Sequence, residues 1–302
     1  MKPANRQPPK FIHNLALMAA GLRRYILENF EVAIHNRETG VIQTVSAPFY
    51  HYYADPFLVK ENGAYYLFVE DLCYLNDTGR LVVLHLDPAM HVKKTAPLNF
   101  VGASSRIECH ASFPLVFKHS GSHYMIPETC GRLSVDLYQC QQWPERWTGF
   151  RTLLIGRDAA DSMVIFHDDR WWLLTSVREA DEQRHLEIYF TDDLLKGDFS
   201  PHPVNAQNLY GDKKFGTGRN AGYLTKDAQG RILRLMQTSE SYYGQGSQLM
   251  EIVTLNETEF QEVPVDLGFT PNSQLRPASW HHCSEEGAWL AFDHRTRSGL
   301  RS

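Results

Sequence analysis

The sequence predicts an all-β chain, a five-bladed β-propeller closed by an N-terminal hairpin, and three observations carry that expectation. One pattern recurs five times between Ala54 and His294: a small or acidic polar residue, an apolar strand, a tight turn, an aromatic-rich strand and a polar end. The copies are evenly spaced, since the anchors Asp55, Ser112, Asp161, Asn220 and Ala278 lie 57, 49, 59 and 58 residues apart. Four of the copies also run on into a further β-rich segment, so each period holds three or four antiparallel strands, the signature of a propeller blade.

Taken in order, residues 1–30 read as an extension and residues 31–302 as one domain. Within the extension Leu15, Met18, Leu22, Tyr25 and Ile26 fall at helical spacing and predict a short helix. Such a helix either packs on the domain or makes a peripheral contact with a membrane surface or a partner. The stretch VAIHNRETGVIQTV from Val32 reads as a hairpin with a Thr-Gly turn. The five copies follow: ADPFLVKENGAYYLFVED from Ala54, HASFPLVFKHSGSHYMIPET from His110, AADSMVIFHDDRWWLLTS from Ala159, GRNAGYLTKDAQGRILRLMQTSE from Gly218 and RPASWHHCSEEGAWLAFDH from Arg276. Each turns at Gly63, Gly121, Asp169, Gly230 or Gly287, residue types that accept the positive φ of a hairpin turn. Outer strands are expected from Leu81, Val135, Leu186 and Ser247, with further short ones near Phe150–Ile155 and Phe260–Val265. The fifth copy runs out of chain, so the N-terminal hairpin is expected to complete its blade and remove the open sheet edges.

Composition narrows the function. With 302 residues, 43% of them hydrophobic, the chain can bury a large core, and a formal net charge of −5 argues against a nucleic-acid partner. The five cysteines form no CxxC pair and read as free thiols. Adjacent strand residues alternate faces, so His281, His282 and Cys283 are not expected to share a metal. No phosphate loop, dinucleotide fingerprint, nucleophile elbow or HExxH motif is present, and no metal or cofactor is expected. No window approaches the roughly 18 apolar residues of a membrane span, and no secretory leader is legible, which points to a cytoplasmic location.

In a propeller the anchors ring one pocket, and the second strand of each hairpin returns its far end to the same face. Those ends are Glu70-Asp71, Glu128, Thr175-Ser176, Ser239-Glu240 and Asp293-His294, all polar or charged. The motifs at Asp55 (Tyr-Ala-Asp-Pro-Phe) and Asp161 (Ala-Asp-Ser) resemble those of the five-bladed propeller glycosidases of the arabinanase/xylosidase and invertase clan. The set ADPFLV with FVED, HASFPLVF with MIPET, AADSM with WWLLTS, and GRNAG with SYYGQG resembles still more the N-terminal propeller domain of glucosamine inositolphosphorylceramide transferases and its bacterial relatives, over residues 45 to 295. The resemblance implies that Asp55 is the clan's base or nucleophile and that Asp161 steers substrate hydroxyls and tunes neighbouring ionisation. Glycosidic cleavage also needs a protonated carboxyl to donate to the leaving oxygen. At the fourth anchor, where the clan's acid belongs, this chain has Gly218-Arg219-Asn220.

Three outcomes remain open on the sequence. Glu128 is the relocated acid of a hydrolase-like enzyme, with Glu70 and Glu240 as weaker candidates. Alternatively the protein transfers a sugar from an activated donor, with Arg219 neutralising a phosphate leaving group. The third outcome is a non-catalytic glycan-binding scaffold that serves a partner transferase. His110, Ser112, Asn220 and Tyr243 complete the expected substrate-binding set, each with a plain structural alternative as a strand end, turn or packing residue.

Overall fold

The computed structural model describes residues 30–295 apart from 103–105, 179–183, 212–216, 240, 242 and 267–279. The expected N-terminal helix, the anchor Ala278 and Glu240 lie outside the described residues. Among those described, helical structure is confined to short 3-10 turns at Cys130–Arg132 and Pro203–Gln207.

The chain opens with β1 (Phe30–Asn36) and β2 (Ile42–Val45). Blade I is β3 (His51–Glu61), β4 (Ala64–Cys73), β5 (Thr78–Leu86) and β6 (Val92–Pro97). A short strand, β7 (Asn99–Val101), crosses to blade II and pairs in parallel with its outer edge. Blade II itself comprises β8 (Ser112–His119), β9 (Ser122–Glu128), β10 (Ser134–Gln142) and β11 (Arg146–Ile155). Blade III contains β12 (Ala159–His167), β13 (Arg170–Arg178), β14 (Arg184–Thr191) and β15 (Ser200–Pro201). Blade IV contains β16 (Asn220–Lys226), β17 (Ile232–Gln237), β18 (Ser247–Leu255) and β19 (Phe260–Pro264). β20 (Trp280–Glu286) and β21 (Trp289–Arg295) are the inner hairpin of blade V.

Blade V is finished by the N-terminal hairpin, as the sequence suggests. The sheet runs β2-β1-β21-β20, with Phe30 opposite Arg295 and Asn36 opposite Trp289. All five inner hairpins turn where expected: Gly63, Gly121, Asp169, Gly230 and Gly287 have φ between 57° and 81°. Aromatic residues fill the wedges between blades, and Trp147, Trp172 and Trp280 are fully buried.

A β-bulge interrupts every innermost strand at the same height. The register skips between Ala54 and Phe57, Ser112 and Leu115, Ala160 and Met163, Asn220 and Leu224, and Trp280 and His282. Four of the bulges carry a positive-φ residue: Asp55 (51°), Phe113 (46°), Asp161 (51°) and Gly222 (83°). The left-handed region is costly for most L-residues, and Asp and Gly tolerate it best. A bulge re-aims a side chain that a regular strand would send into the sheet, and here it turns the anchors toward the propeller axis.

Candidate functional site at the propeller axis

Backbone amides at the bulges donate to carboxylates of the preceding blade, and these bonds draw the acidic residues together. The Asp55 N–H donates to Asp293 Oδ2 (2.9 Å), the Phe113 N–H to Asp55 Oδ2 (3.0 Å), and the Asp161 N–H to Glu128 Oε2 (3.2 Å). Blade IV joins through Asn220, whose Nδ2 donates to the carbonyls of Asp161 (2.7 Å) and Leu174 (2.9 Å). Asn220 Oδ1 in turn accepts from Arg234, a fully buried guanidinium paired with Glu262.

Asp161 and Arg219 form a two-pronged pair. Arg219 Nε donates to Oδ2 and Nη2 to Oδ1 (3.0 Å) of Asp161, while Nη2 also reaches Glu128 Oε2 (3.4 Å). The Arg219 guanidinium carbon lies 5.3 Å from the centre of the Tyr243 ring. On the other side of the axis His281 Nδ1 is 3.1 Å from Asp293 Oδ2 and 3.5 Å from Asp55 Oδ1, and its Nε2 bonds the Tyr243 hydroxyl.

Burial and crowding set the ionisation of this cluster. Desolvation, helped by neighbouring carboxylates and opposed by His281, pushes Asp55 up to about 7. Desolvation and the Asp161 charge likewise lift Glu128 to about 7 against the pull of Arg219. Glu70, buried beside Asp55 and Glu128, is held well above the usual carboxylate range by desolvation and by those charges. Asp161 and Asp293 are also desolvated, yet Arg219 holds the first and His281 the second below the ordinary value. Desolvation lowers His281, but Asp293 and Asp55 outweigh it and keep the imidazolium up to about 9. His282 is buried edge-on to the rings of Phe57 and Phe113, and desolvation pulls it down to about 3 against the nearby Asp293 charge.

The residues singled out in the sequence divide into three groups by place. Glu128, Asp161, Arg219 and Tyr243 meet directly, and Asp55 joins them through His281, which faces Asp55 and bonds the Tyr243 hydroxyl. Glu70 lies beside them, 3.3 Å from His110 Nε2, while His110 Nδ1 accepts the Gly79 N–H (3.0 Å) at the edge of the cluster. Asn220 spends its amide between blades, as described above, and Ser112 pairs with Glu128 through the backbone. Strand pairing makes Phe113, not Ser112, the equivalent of Asp55 and Asp161, so blade II has no acidic anchor.

The sequence reading does not include His281 and Asp293 among the site residues. Asp293 was visible as a polar strand end. His281 was set aside on the alternation rule, which the bulge beside it breaks: both His281 and His282 bring Nδ1 within 3.6 Å of Asp55 Oδ1. Among the described residues, Asp55, His281 and Asp293 also have the spacing of a cation site, with ligand-type atoms within 4.8 Å of one another. Within the protein, His281 Nδ1 already faces both carboxylates. No helix among the described residues is long and apolar enough to cross a membrane.

Comparison with known proteins adds relatives and a fold. Residues 39–286 match the family model described as glucosamine inositolphosphorylceramide transferase 1, N-terminal. Glucosamine inositolphosphorylceramide transferase 1 of Oryza sativa subsp. japonica is 30% identical over 252 residues, covering 80% of this chain and 32% of the rice protein. The Arabidopsis thaliana protein of that name is 28% identical over 218 residues, covering 71% of this chain and 27% of its own length. The chain therefore spans about a third of the length of these relatives. Among solved structures, the GH43 protein BlXynB of Bacillus licheniformis aligns with a TM-score of 0.54 at 14% identity, covering 73% of this chain and 47% of that one. An exo-β-1,3-galactanase of Clostridium thermocellum aligns with a TM-score of 0.53 at 12% identity, over 72% of this chain and 50% of that one. These two likenesses establish the shared propeller fold, and the family match with its accompanying identities establishes descent: the chain belongs to the family of the N-terminal domain of glucosamine inositolphosphorylceramide transferase 1.

Proposed function

We propose that this propeller is a carbohydrate-active protein that acts on glycosidic linkages during glycan or glycolipid assembly. One observation carries the reading: the bulges and their backbone hydrogen bonds gather buried Asp55, Glu128 and Asp161 from three strands at the propeller axis, where desolvation raises Asp55 and Glu128 to about 7 while Arg219 holds Asp161 below its ordinary value. Carboxyl groups poised near neutrality can take a proton in one protonation state and give it back in the other, which is what glycosyl chemistry asks of a carboxylate pair. Assembly is favoured over scavenging by the relatives, which are named glucosamine inositolphosphorylceramide transferase 1.

The test is turnover. The purified protein is incubated with nucleotide sugars and with a panel of aryl glycosides, beside Asp55→Asn. Turnover by the parent that falls by about 100-fold or more in the variant supports the reading, following the size of a lost acid-base group. Turnover unchanged in the variant removes Asp55 from the mechanism. The partial coverage of the relatives favours a second reading, in which the propeller binds glycan for a partner transferase; glycan binding without turnover on either substrate class selects it.

A further inference from the structure

The spaces between neighbouring blades are not filled equally. Between blades III and IV, Trp172 and Phe190 pack against Ile232 and Ile252. Between blades IV and V, Leu233, Leu235 and Leu249 stand on one side and Trp280 and Leu290 on the other, with the Trp280 ring stacked on Phe292 of its own blade (4.9 Å, 26°). A cavity of about 230 Å³ is left in that wedge. Its walls are apolar and buried, none of those five lining side chains being more than 8% exposed. The exposed part of the lining forms its mouth: Arg37 after β1, Asp227 and Arg231 at the turn between β16 and β17, and Glu285 near the end of β20. Hairpin turns lie at the far ends of the strands from the anchors, so the slot opens on the face opposite the acidic cluster.

We propose that this slot is a second ligand site, which takes a single alkyl chain carrying a neutral, polyhydroxylated head, as in an alkyl glycoside. An apolar cavity of about 150 Å³ stays dry and accepts a six-carbon ring, so one of this volume holds a chain of roughly eight or nine carbons. The mouth selects the head. Arg37 Nη1 is 3.2 Å from Glu285 Oε2, and its Nη2 donates to the Gly287 carbonyl (2.7 Å). Arg231 Nε donates to Asp227 Oδ2 (2.7 Å) and its Nη1 to Glu251 Oε2 (3.3 Å). The Tyr223 hydroxyl donates to Glu285 Oε1 (3.0 Å). Each guanidinium already answers a carboxylate, so an anionic head would have to displace Asp227 or Glu285. A cationic head would have to displace an arginine. Hydroxyls need no such exchange, since one group accepts from a guanidinium N–H and donates to a carboxylate. The inference goes beyond the function proposed above and concerns the opposite face of the ring.

The experiment is calorimetric titration of the full chain with octyl glucoside below its micelle-forming concentration, beside hexyl glucoside, octyl sulfate and octyltrimethylammonium. The expected result is a single octyl glucoside per chain, bound about 15-fold more tightly than hexyl glucoside, because each buried methylene adds roughly a factor of four. Octyl sulfate and octyltrimethylammonium are expected to bind at least about fivefold more weakly than octyl glucoside, the size of one lost hydrogen bond. Leu233→Trp, which fills the slot, is expected to weaken octyl glucoside by about 10-fold or more through overpacking. Arg231→Ala, at an exposed turn that tolerates substitution, is expected to weaken it about fivefold. If Leu233→Trp does not fold, Arg231→Ala decides. Absence of binding by the parent overturns the inference, as do equal affinities for the hexyl and octyl chains, equal or tighter binding of either charged octyl compound, and octyl glucoside binding that survives both substitutions unchanged. Turnover plays no part in this readout, so its outcome stands apart from the test of the function proposed above.

Discussion

Arg219 is clamped by Asp161 through two atoms and by Glu128 through one of them, so its charge belongs to the wall of the site. Removing one member of a buried pair leaves the other uncompensated, which costs more than the pair itself contributes. Arg219→Ala is therefore expected to lower stability by about 3 to 5 kcal/mol, read from the denaturant midpoint at pH 7. Arg219→Lys keeps the charge but loses the fork, and an intermediate loss is expected. A fully exposed pair such as Arg106 with Glu108 gives a control: Arg106→Ala is expected within about 0.5 kcal/mol of the parent. At this scale the sequence disclosed Asp55 and Asp161, because a short motif and a repeated spacing mark them. It did not disclose His281, since its role depends on a partner 12 positions away across a bulge.

The hairpins were legible because their turns require particular chemistry. Each falls on a Gly or Asp that the backbone puts at positive φ, and the apolar runs on either side supply the strands. The bulges were not legible, because strand pattern alone does not show a slip of one residue. That slip is why Ser112 looked like the blade II anchor while Phe113 occupies the place. Two glycines separate the two kinds of feature. At Gly63, in an open turn with φ +80°, an added Cβ meets nothing within 4 Å, and Gly63→Ala is expected to cost about 1 kcal/mol from backbone strain alone. At Gly222, in the blade IV bulge with φ +83°, a Cβ would lie 2.0 Å from His282 Nε2. Gly222→Ala should therefore cost more, above about 2 kcal/mol, as strain and overpacking add. Thermal unfolding of the two variants side by side checks the order.

For the molecule as a whole, the crowded axis makes stability depend on pH in opposing ways. Asp55 and Glu128 have folded-state values of about 7, above the ordinary carboxylate values of 3.8 and 4.5. Their contribution is fully present below those ordinary values and is lost as pH rises through 7. His281, raised from 6.5 to about 9, contributes stability that is fully present below 6.5 and lost as pH rises through 9. Asp161 and Asp293 act the other way, since their depressed values make a contribution that disappears on acidification. The expected profile rises from strong acid, then declines from about pH 5 through 7 and again toward 9. Asp55→Asn and Glu128→Gln should each flatten the decline between 5 and 7, which a series of unfolding midpoints against pH will show. The number of blades was legible from the repeat alone, whereas this balance of charges comes from residues that meet only when all five blades close.

Ring closure has a consequence for how the protein is made. β1 is among the first described strands to leave the ribosome, yet its partner β21 lies at the far end of the chain, and contacts such as that from His294 to the Glu31 carbonyl span 263 positions. During synthesis the edge of β1 that β21 will cover stays open while four other blades are built, and chains with such distant pairings fold slowly. Since Asp293 is on β21, the carboxylate that orients His281 and receives the Asp55 amide arrives with the last strand. A chain truncated before β21 can therefore hold several finished blades and still lack an assembled site, so chemical competence waits on closure of the ring.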